Sequence, residues 1–126
     1  MSTTKEFDRY VLRIYGRNEG TVAHLMCFMG PNISGGYKSL AGIITFKPDG
    51  SVMPQDRLCY YNPNVVYITL YMPWSRFDAV MSTLRAEKPL HLYINANIEA
   101  GETTTPGYGH LATSEQEPIG EEEEIH

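Results

Sequence analysis

The chain has 126 residues, of which 42% are apolar and 20% charged, a composition that fits one globular domain and argues against a largely disordered chain. The net charge of −5 is uneven, because residues 115–126 hold six glutamates and no Lys or Arg, which leaves about +1 on residues 1–114. We therefore expect a single globular β-rich domain over residues 1–114 and a flexible acidic tail over residues 115–126.

Two further classes are disfavoured by the sequence. No segment reaches the ~18 consecutive apolar residues of a membrane span, and the first residues lack the apolar stretch of a signal peptide, so we expect a cytoplasmic protein with no membrane partner. Cys27 and Cys59 lie far apart in apolar segments. This spacing predicts two buried, reduced thiols rather than a zinc or redox pair.

Alternation of apolar and polar residues predicts six strands, and a less regular pattern near the end predicts a seventh. In chain order they cover residues 10–15, 21–29, 40–46, 57–61, 65–72, 90–95 and 108–113. Pro48, Asp49 and Gly50 suit a type I turn, which predicts a hairpin between the third and fourth of these strands.

A helical period interrupts the alternation after the fifth strand. The apolar positions of one helix face are Phe77, Val80, Met81 and Leu84. We expect the Ser75 hydroxyl to cap this helix, with Asp78 in its first turn, and Pro89 to mark its end.

These elements predict a mostly β fold: a small barrel or bent antiparallel sheet of about six or seven strands, with one α-helix between strands 5 and 6. The alternative is an α+β two-layer sandwich, in which the helix covers one face of an antiparallel sheet. The barrel would be OB-like in shape, but the conventional OB order places its helix after three strands and here five precede it. This departure argues against an OB assignment.

Each predicted strand has an aliphatic face and a second face of rings and polar groups. If the strands share a sheet, the second faces together form a candidate ligand-binding surface that consists of Arg9, Arg13, Tyr15, Arg17, Tyr67, Tyr71, His91 and Tyr93. Tyr37 and Lys38, at the end of a glycine-rich loop over residues 30–38, are candidates for the rim of this surface. The loop lacks the Gly-Lys-Ser/Thr ending of a P-loop, so a phosphate nest is not expected.

Exposed rings among cations are typical of single-stranded nucleic-acid binders, because bases stack on rings at ~1–3 kcal/mol each while cations follow the phosphates. Aromatic pairs also stabilise sheets, so burial of this face under a second layer is the structural alternative. An acidic tail can compete with nucleic acid for such a face or recruit a basic partner protein. The layout resembles that of bacterial and phage single-stranded DNA-binding proteins, an aromatic β-barrel followed by an acidic tail with an apolar residue at its end, here Ile125. The resemblance is one of layout and covers no aligned motif.

A protein-interaction module or inhibitor of a phage or mobile element is the second interpretation, because Tyr and Arg are also favoured in protein hot spots. Exposed strand edges make a homo-oligomer plausible in either case. An enzyme is the third interpretation. No metal-ligand spacing links the four histidines, which are His24, His91, His110 and His126. No carboxylate pair can be placed for acid–base work. We therefore predict no catalytic residues, no metal site and no cofactor.

Overall fold

The computed structural model describes residues 2–16, 20–30, 39–62, 65–86, 89–96 and 104–113. Within them lie eight β-strands: β1 Ser2–Phe7, β2 Arg9–Ile14, β3 Ala23–Phe28, β4 Leu40–Lys47, β5 Asp56–Asn62, β6 Val65–Pro73, β7 Leu90–Ala96 and β8 Thr104–Ala112. A 3₁₀ turn at Trp74–Arg76 leads into one α-helix, α1 Phe77–Ala86, between β6 and β7.

All eight strands belong to one sheet, in the order β1-β7-β8-β5-β6-β4-β3-β2. The sheet is strongly curled into a half-barrel. Its neighbouring strands are antiparallel except for β4 and β6, which run in parallel. The structure thus confirms a mostly β, bent sheet with a single helix after the fifth predicted strand. The additional strand is β1, whose inward positions include the polar Thr3 and Lys5, so its sequence carries no alternation that would reveal it.

The curl brings the two edges of the sheet together at Asp8. This residue alone separates β1, which pairs with β7 at one edge, from β2, which pairs with β3 at the other. The Asp8 amide donates to the Phe28 carbonyl at 3.0 Å, and the Gly30 amide donates to the Asp8 carboxylate at 3.1 Å. Residues 2–14 therefore form one bent strand that takes part in both edges.

The concave face of the sheet holds the hydrophobic core. Its largest fully buried side chains include Phe7, Leu25, Ile44, Phe46, Ile68, Leu70, Leu92 and Ile94. Gly42 on β4 also faces this core, and a Cβ placed there would meet the Ile68 carbonyl oxygen and the Leu92 side chain. Strands β4 and β7 therefore approach each other closely across the core, which is the geometry that the strong curl requires.

Helix α1 packs its apolar face on this core, where Val80, Met81 and Leu84 are buried. At its start, Phe77 stacks on Trp74 with ring centroids 4.4 Å apart. The Phe77 ring also meets Phe46 of β4 edge to face at 5.3 Å. The helix therefore covers part of the concave side, as the apolar spacing predicted.

The expected cap of the helix is wrong in detail. Ser75 lies inside the 3₁₀ turn, and its amide donates to the Asp49 carboxylate at 2.9 Å. The acceptor at this helix entrance therefore comes from the turn after β4, 26 residues earlier in the chain.

The predicted turn after β4 is present, but the predicted hairpin is wrong. The Ser51 amide donates to the Pro48 carbonyl at 3.2 Å, so Pro48 is the first residue of this turn and Gly50 the third. The φ of Gly50 is +84°, which is the pattern of a type II turn and not of the expected type I turn. However, β6 occupies the position beside β4, and β5 lies beyond it. The turn reverses the chain, while the parallel pairing of β4 with β6 prevents β4 and β5 from meeting.

The division between domain and tail stays a prediction, because residues 115–126 lie outside the described residues. In the described part of the chain, no helix combines the length and the apolar character needed to cross a bilayer.

Candidate functional site

The strand register shows where the predicted site residues lie. Arg9, Arg13, Tyr67, Tyr71, His91 and Tyr93 occupy the convex face of the sheet, because each alternates along its strand with residues that face the core. Tyr15 follows β2 and is 41% exposed, and its ring contacts a histidine on the same face. Arg17, Tyr37 and Lys38 lie outside the described residues.

A continuous row crosses four adjacent strands of this face. Arg13 on β2 is opposite His24 on β3, His24 is opposite Thr45 on β4, and Thr45 is opposite Tyr71 on β6. At the usual strand spacing the row is about 14 Å long. The sequence therefore placed Arg13 and Tyr71 on one surface correctly, and the pairing adds the two residues between them.

Tyr15 and Lys47 lie beside this row, each two residues along the chain from a member of it, Arg13 and Thr45 respectively. The Tyr15 hydroxyl is hydrogen-bonded to Nδ1 of His24 at 2.6 Å, and the two rings meet edge to face with centroids 5.3 Å apart. The Lys47 ammonium donates to the Thr21 hydroxyl at 3.3 Å. We call Arg13, Tyr15, His24, Lys47 and Tyr71 the ring-and-cation face.

The charge on the ring-and-cation face is positive. Burial lowers the pKa of His24, and the nearby cations of Lys47 and Arg13 lower it further. Within the described residues, neither Arg13 nor Lys47 forms an ion pair with a carboxylate. These two cations are therefore available to an anionic ligand.

His24 and Lys47 were not among the predicted site residues. Both could have been found by applying the two-residue period to β3 and β4, since His24 alternates with buried Ala23 and Leu25, and Lys47 follows buried Phe46. What the period does not supply is the pairing that brings them beside Arg13 and Tyr71.

Two of the predicted residues, His91 and Tyr93, belong to a separate cluster on β1, β7 and β8. Tyr93 stacks on His110 with centroids 4.7 Å apart. His91 approaches the Glu6 carboxylate at 3.6 Å, and its Nδ1 lies 2.6 Å from the Thr113 carbonyl oxygen. The cluster contains a carboxylate, so it is less suited to phosphate than the ring-and-cation face.

Two predicted residues lie outside both groups. Tyr67 lies on β6 opposite Cys59 of β5, and its side chain is half-buried. Arg9 is exposed at the start of β2 opposite Phe28. The predicted surface is therefore one face of the sheet but not one contiguous site.

A groove opens on the helix side of the sheet, beside the first residue of β5. Strand β5 lies between β6 and β8 and begins at Asp56. Tyr71 of β6 and Gly109 of β8 lie past this end, so their amides have no β5 residue to pair with. The two oxygens of the Asp56 carboxylate accept from these amides at 2.9 Å each. The resulting groove between α1 and the sheet has a volume of about 420 Å³. Tyr71 and His110 line its sheet side, and Arg76 lines its helix side.

Within the described residues, neither the cysteines nor the candidate metal-ligating side chains form a further site. Cys27 and Cys59 are free and buried, as predicted, and burial raises the pKa of Cys27 to about 12. Across the described segments, no three side chains among His, Cys, Asp and Glu gather as a metal site would require.

Comparisons of the chain with protein-family models, with curated proteins and with solved structures find no match. The function is therefore argued from the geometry of the site alone.

Proposed function

We propose that this protein is a non-enzymatic binding module that holds single-stranded nucleic acid on its ring-and-cation face. The row Arg13–His24–Thr45–Tyr71, bordered by Tyr15 and Lys47, carries this proposal. It joins the exposed Tyr15 ring and the half-buried rings of His24 and Tyr71 to two cations that form no ion pair within the described residues, although Thr45 itself is buried. Rings of this kind accept any base by stacking, while the cations follow the phosphates.

The balance of charges indicates moderate affinity. Residues 1–114 carry a net charge of only about +1, so attraction is local to the face and does not come from the whole domain. We expect binding to fall steeply with salt, since exposed cations are screened beyond about 10 Å at 0.1 M ionic strength.

The acidic tail is proposed to regulate this face. Residues 115–126 hold six glutamates without a base, and a tethered anion competes with nucleic acid at an effective concentration of order mM. Recruitment of a basic partner protein is the alternative role for the same residues.

Fluorescence anisotropy of labelled single-stranded DNA and RNA with the full chain tests the proposal. We expect Tyr15→Ala to weaken binding about ten-fold, the value of one stacked base. Arg13→Gln should reduce the slope of log affinity against log salt by about 0.7, as for the loss of one phosphate contact. The matched controls are Tyr108→Ala, which removes a 78% exposed ring elsewhere on the sheet, and Arg85→Gln on the helix.

These measurements test whether the face binds nucleic acid, and they distinguish a competing tail from a tail that recruits a basic protein. Equal effects of the site and control variants, or no binding at micromolar protein, would contradict the proposal. Replacing residues 121–124 by Gln in the full chain should tighten binding at low salt if the tail competes. If the tail instead recruits a basic protein, the same change should leave nucleic-acid binding unaltered and weaken binding to polylysine.

A protein-interaction module or inhibitor is the second candidate, and the free edge of β2 favours it. Tyr10 and Ile14 on this edge are 40% and 58% exposed, although they point to the core side of the sheet. Open strand edges with exposed apolar groups pair with other chains, including second copies. Sedimentation velocity over a range of concentrations tests self-association, which Ile14→Lys should abolish. A monomer at every concentration would remove the homo-oligomer from this candidate.

A further inference from the structure

The groove beside Asp56 marks a place where the sheet lacks one strand. Strand β5 starts at Asp56, opposite Gly107 of β8, whereas β6 and β8 both continue past this level. No described segment occupies the strand position between residues 71–73 of β6 and residues 109–111 of β8. Helix α1 covers the concave side of this position, where Val80 lines the groove. We call this strand position the gap.

Backbone groups of both neighbouring strands point into the gap. The N–H and C=O of one strand residue point to the same side, and the side alternates from each residue to the next. The amides of Tyr71 and Gly109 point into the gap, because both donate to the Asp56 carboxylate. By the same alternation, the Tyr71 carbonyl and both backbone groups of Leu111 point into it as well. No β5 residue lies opposite these groups, so an added strand can pair with them.

The helix side of the gap combines apolar side chains with one cation. Met72 and Leu111 are half-buried and line the groove together with Val80. Arg76, in the 3₁₀ turn that follows β6, also lines the groove. It is exposed and forms no ion pair within the described residues. The segment that fits is therefore an extended one that carries an apolar side chain close to a carboxylate.

The chain itself supplies such a segment beside the gap. Thr113 is the last described residue and directly follows β8, which forms one wall of the gap. A segment that turns back beside β8 is antiparallel to β8 and to β6, as β5 is. If Ile119 lies opposite Leu111, the connection consists of residues 114–116, within the 2–5 residues usual for a hairpin.

We propose that residues 117–120 add a short strand in the gap, with Ile119 opposite Leu111. Side chains of a strand alternate between its two faces, so Glu117 and Ile119 both face the helix side. Ile119 then covers the apolar wall of the groove. Glu117, nearer the start of the helix, is placed to pair with the Arg76 guanidinium.

Asp56 sets the end of the added strand. Its carboxylate already binds the amides of Tyr71 and Gly109, and its charge repels the glutamates that follow Gly120. Residues 121–124 therefore leave the gap beside Tyr71, which ends the row that begins at Arg13. The docked strand places four glutamates next to the ring-and-cation face. This last step rests on the proposed function, whereas the docking does not.

NMR spectroscopy of the full chain with labelled methyl groups tests the docking. We expect nuclear Overhauser contacts between the Ile119 methyl groups and those of Met72 and Val80. The Leu111 amide, which points away from β7, should be protected from hydrogen exchange. Ile119→Asp should remove the contacts and speed this exchange about ten-fold or more, because an apolar side chain leaves the groove. Ile125→Asp is the matched control in the same tail and should leave both measurements unchanged.

A charge exchange tests the ion pair with the same measurement. Arg76→Glu should speed exchange of the Leu111 amide, and Glu117→Arg in the same chain should restore the native rate. Arg85→Glu, on the same helix but outside the groove lining, is the control and should have no effect. Retention of the native amide spectrum over β2, β3 and β4 shows that each variant is folded.

Several results would overturn the docking. One is the absence of Ile119 contacts with the groove in the native chain, and another is equal exchange of Leu111 in Ile119→Asp and Ile125→Asp. Exchange that slows as protein concentration rises would assign the gap to the tail of a second copy. If these tests fail while Tyr15→Ala still weakens DNA binding, the proposed function stands without the docked strand. If the contacts appear but no nucleic acid binds, only the proposed function is overturned.

Discussion

The amide of Tyr71 donates a hydrogen bond to the Asp56 carboxylate at 2.9 Å, and the second oxygen of Asp56 accepts from Gly109 at the same distance. Asp8 and Asp49 serve in the same way, accepting from the amides of Gly30 and Ser75. Three aspartates therefore replace missing backbone acceptors at the points where strands begin, bend or lead into the helix.

Removal of the Asp56 carboxylate should be costly for stability. Asp56→Ala leaves two partly buried amides without an acceptor, at about 1–3 kcal/mol for each that water does not reach. Asp56→Asn keeps one acceptor oxygen and should lose about half as much. Urea denaturation measures the difference. Asp78→Ala is the control, since this exposed carboxylate contributes only a helix-dipole term of about 0.3–1 kcal/mol. Equal losses at both positions would contradict the role of Asp56.

The tight curl should make Gly42 intolerant of any side chain. Gly42→Ala places a methyl group against the Ile68 backbone and the Leu92 side chain, and overpacking of this kind costs about 1–3 kcal/mol or more. Gly16→Ala is the matched control, because no atom lies within 4 Å of a Cβ at that position. We expect a lower thermal midpoint for Gly42→Ala alone. Similar midpoints for both variants would show that the sheet can open at β4.

His24 should make the fold less stable in acid. Its pKa in the folded chain is below the ordinary 6.5, chiefly through burial and then through Lys47 and Arg13. The unfolded chain therefore takes up a proton first, and stability is lost as the pH falls from 6.5 towards the folded pKa, whereas above 6.5 the effect vanishes.

The measurement for His24 compares urea midpoints at about pH 7.5 and about pH 5.5 for the native chain and for His24→Gln. The variant should lose less stability on acidification than the native chain. His110→Gln, at an exposed histidine on β8, is the control. A native acid response in His24→Gln would assign the effect to other groups.

Cys27 should resist alkylation as long as the protein is folded. Its side chain is fully buried, and burial raises its pKa to about 12, so the reactive thiolate is scarce at neutral pH. Mass spectrometry after iodoacetamide treatment should find Cys27 modified only in denaturant. Labelling of Cys27 in the native chain at a rate independent of denaturant would contradict its burial.

Local periodicity was sufficient for the helix and for every described strand except β1, but not for their arrangement. Leu90, Leu92 and Ile94 alternate with polar residues and are buried on one face of β7, as that pattern indicates. The sequence also indicated a turn at Pro48–Gly50. However, β4 pairs in parallel with β6, and no local sequence pattern predicts this pairing. Likewise, the acceptor for Ser75 comes from Asp49, a contact set by the tertiary fold.

The same limit applies to the candidate site. A two-residue period assigns Arg13, Tyr71 and Tyr93 to the polar faces of their strands. It does not predict which strands are neighbours. Their separation depends on strand order, which puts Tyr71 in the row with His24 and puts Tyr93 in a different cluster with His110. The sequence could not predict the groove, because no motif encodes it. It arises where β5 begins too late to pair with Tyr71.

The bent strand of residues 2–14 has a consequence for the order of folding. Its second half pairs with β3, which follows within a few residues, whereas its first half pairs with β7, as in the match of Ser2 with Asn95. On a ribosome, β2 and β3 can meet soon after they emerge, but β1 must wait until most of the chain has been synthesised. Closure of the half-barrel is therefore a late, long-range step, and until then the first strand is exposed to premature pairing with other chains.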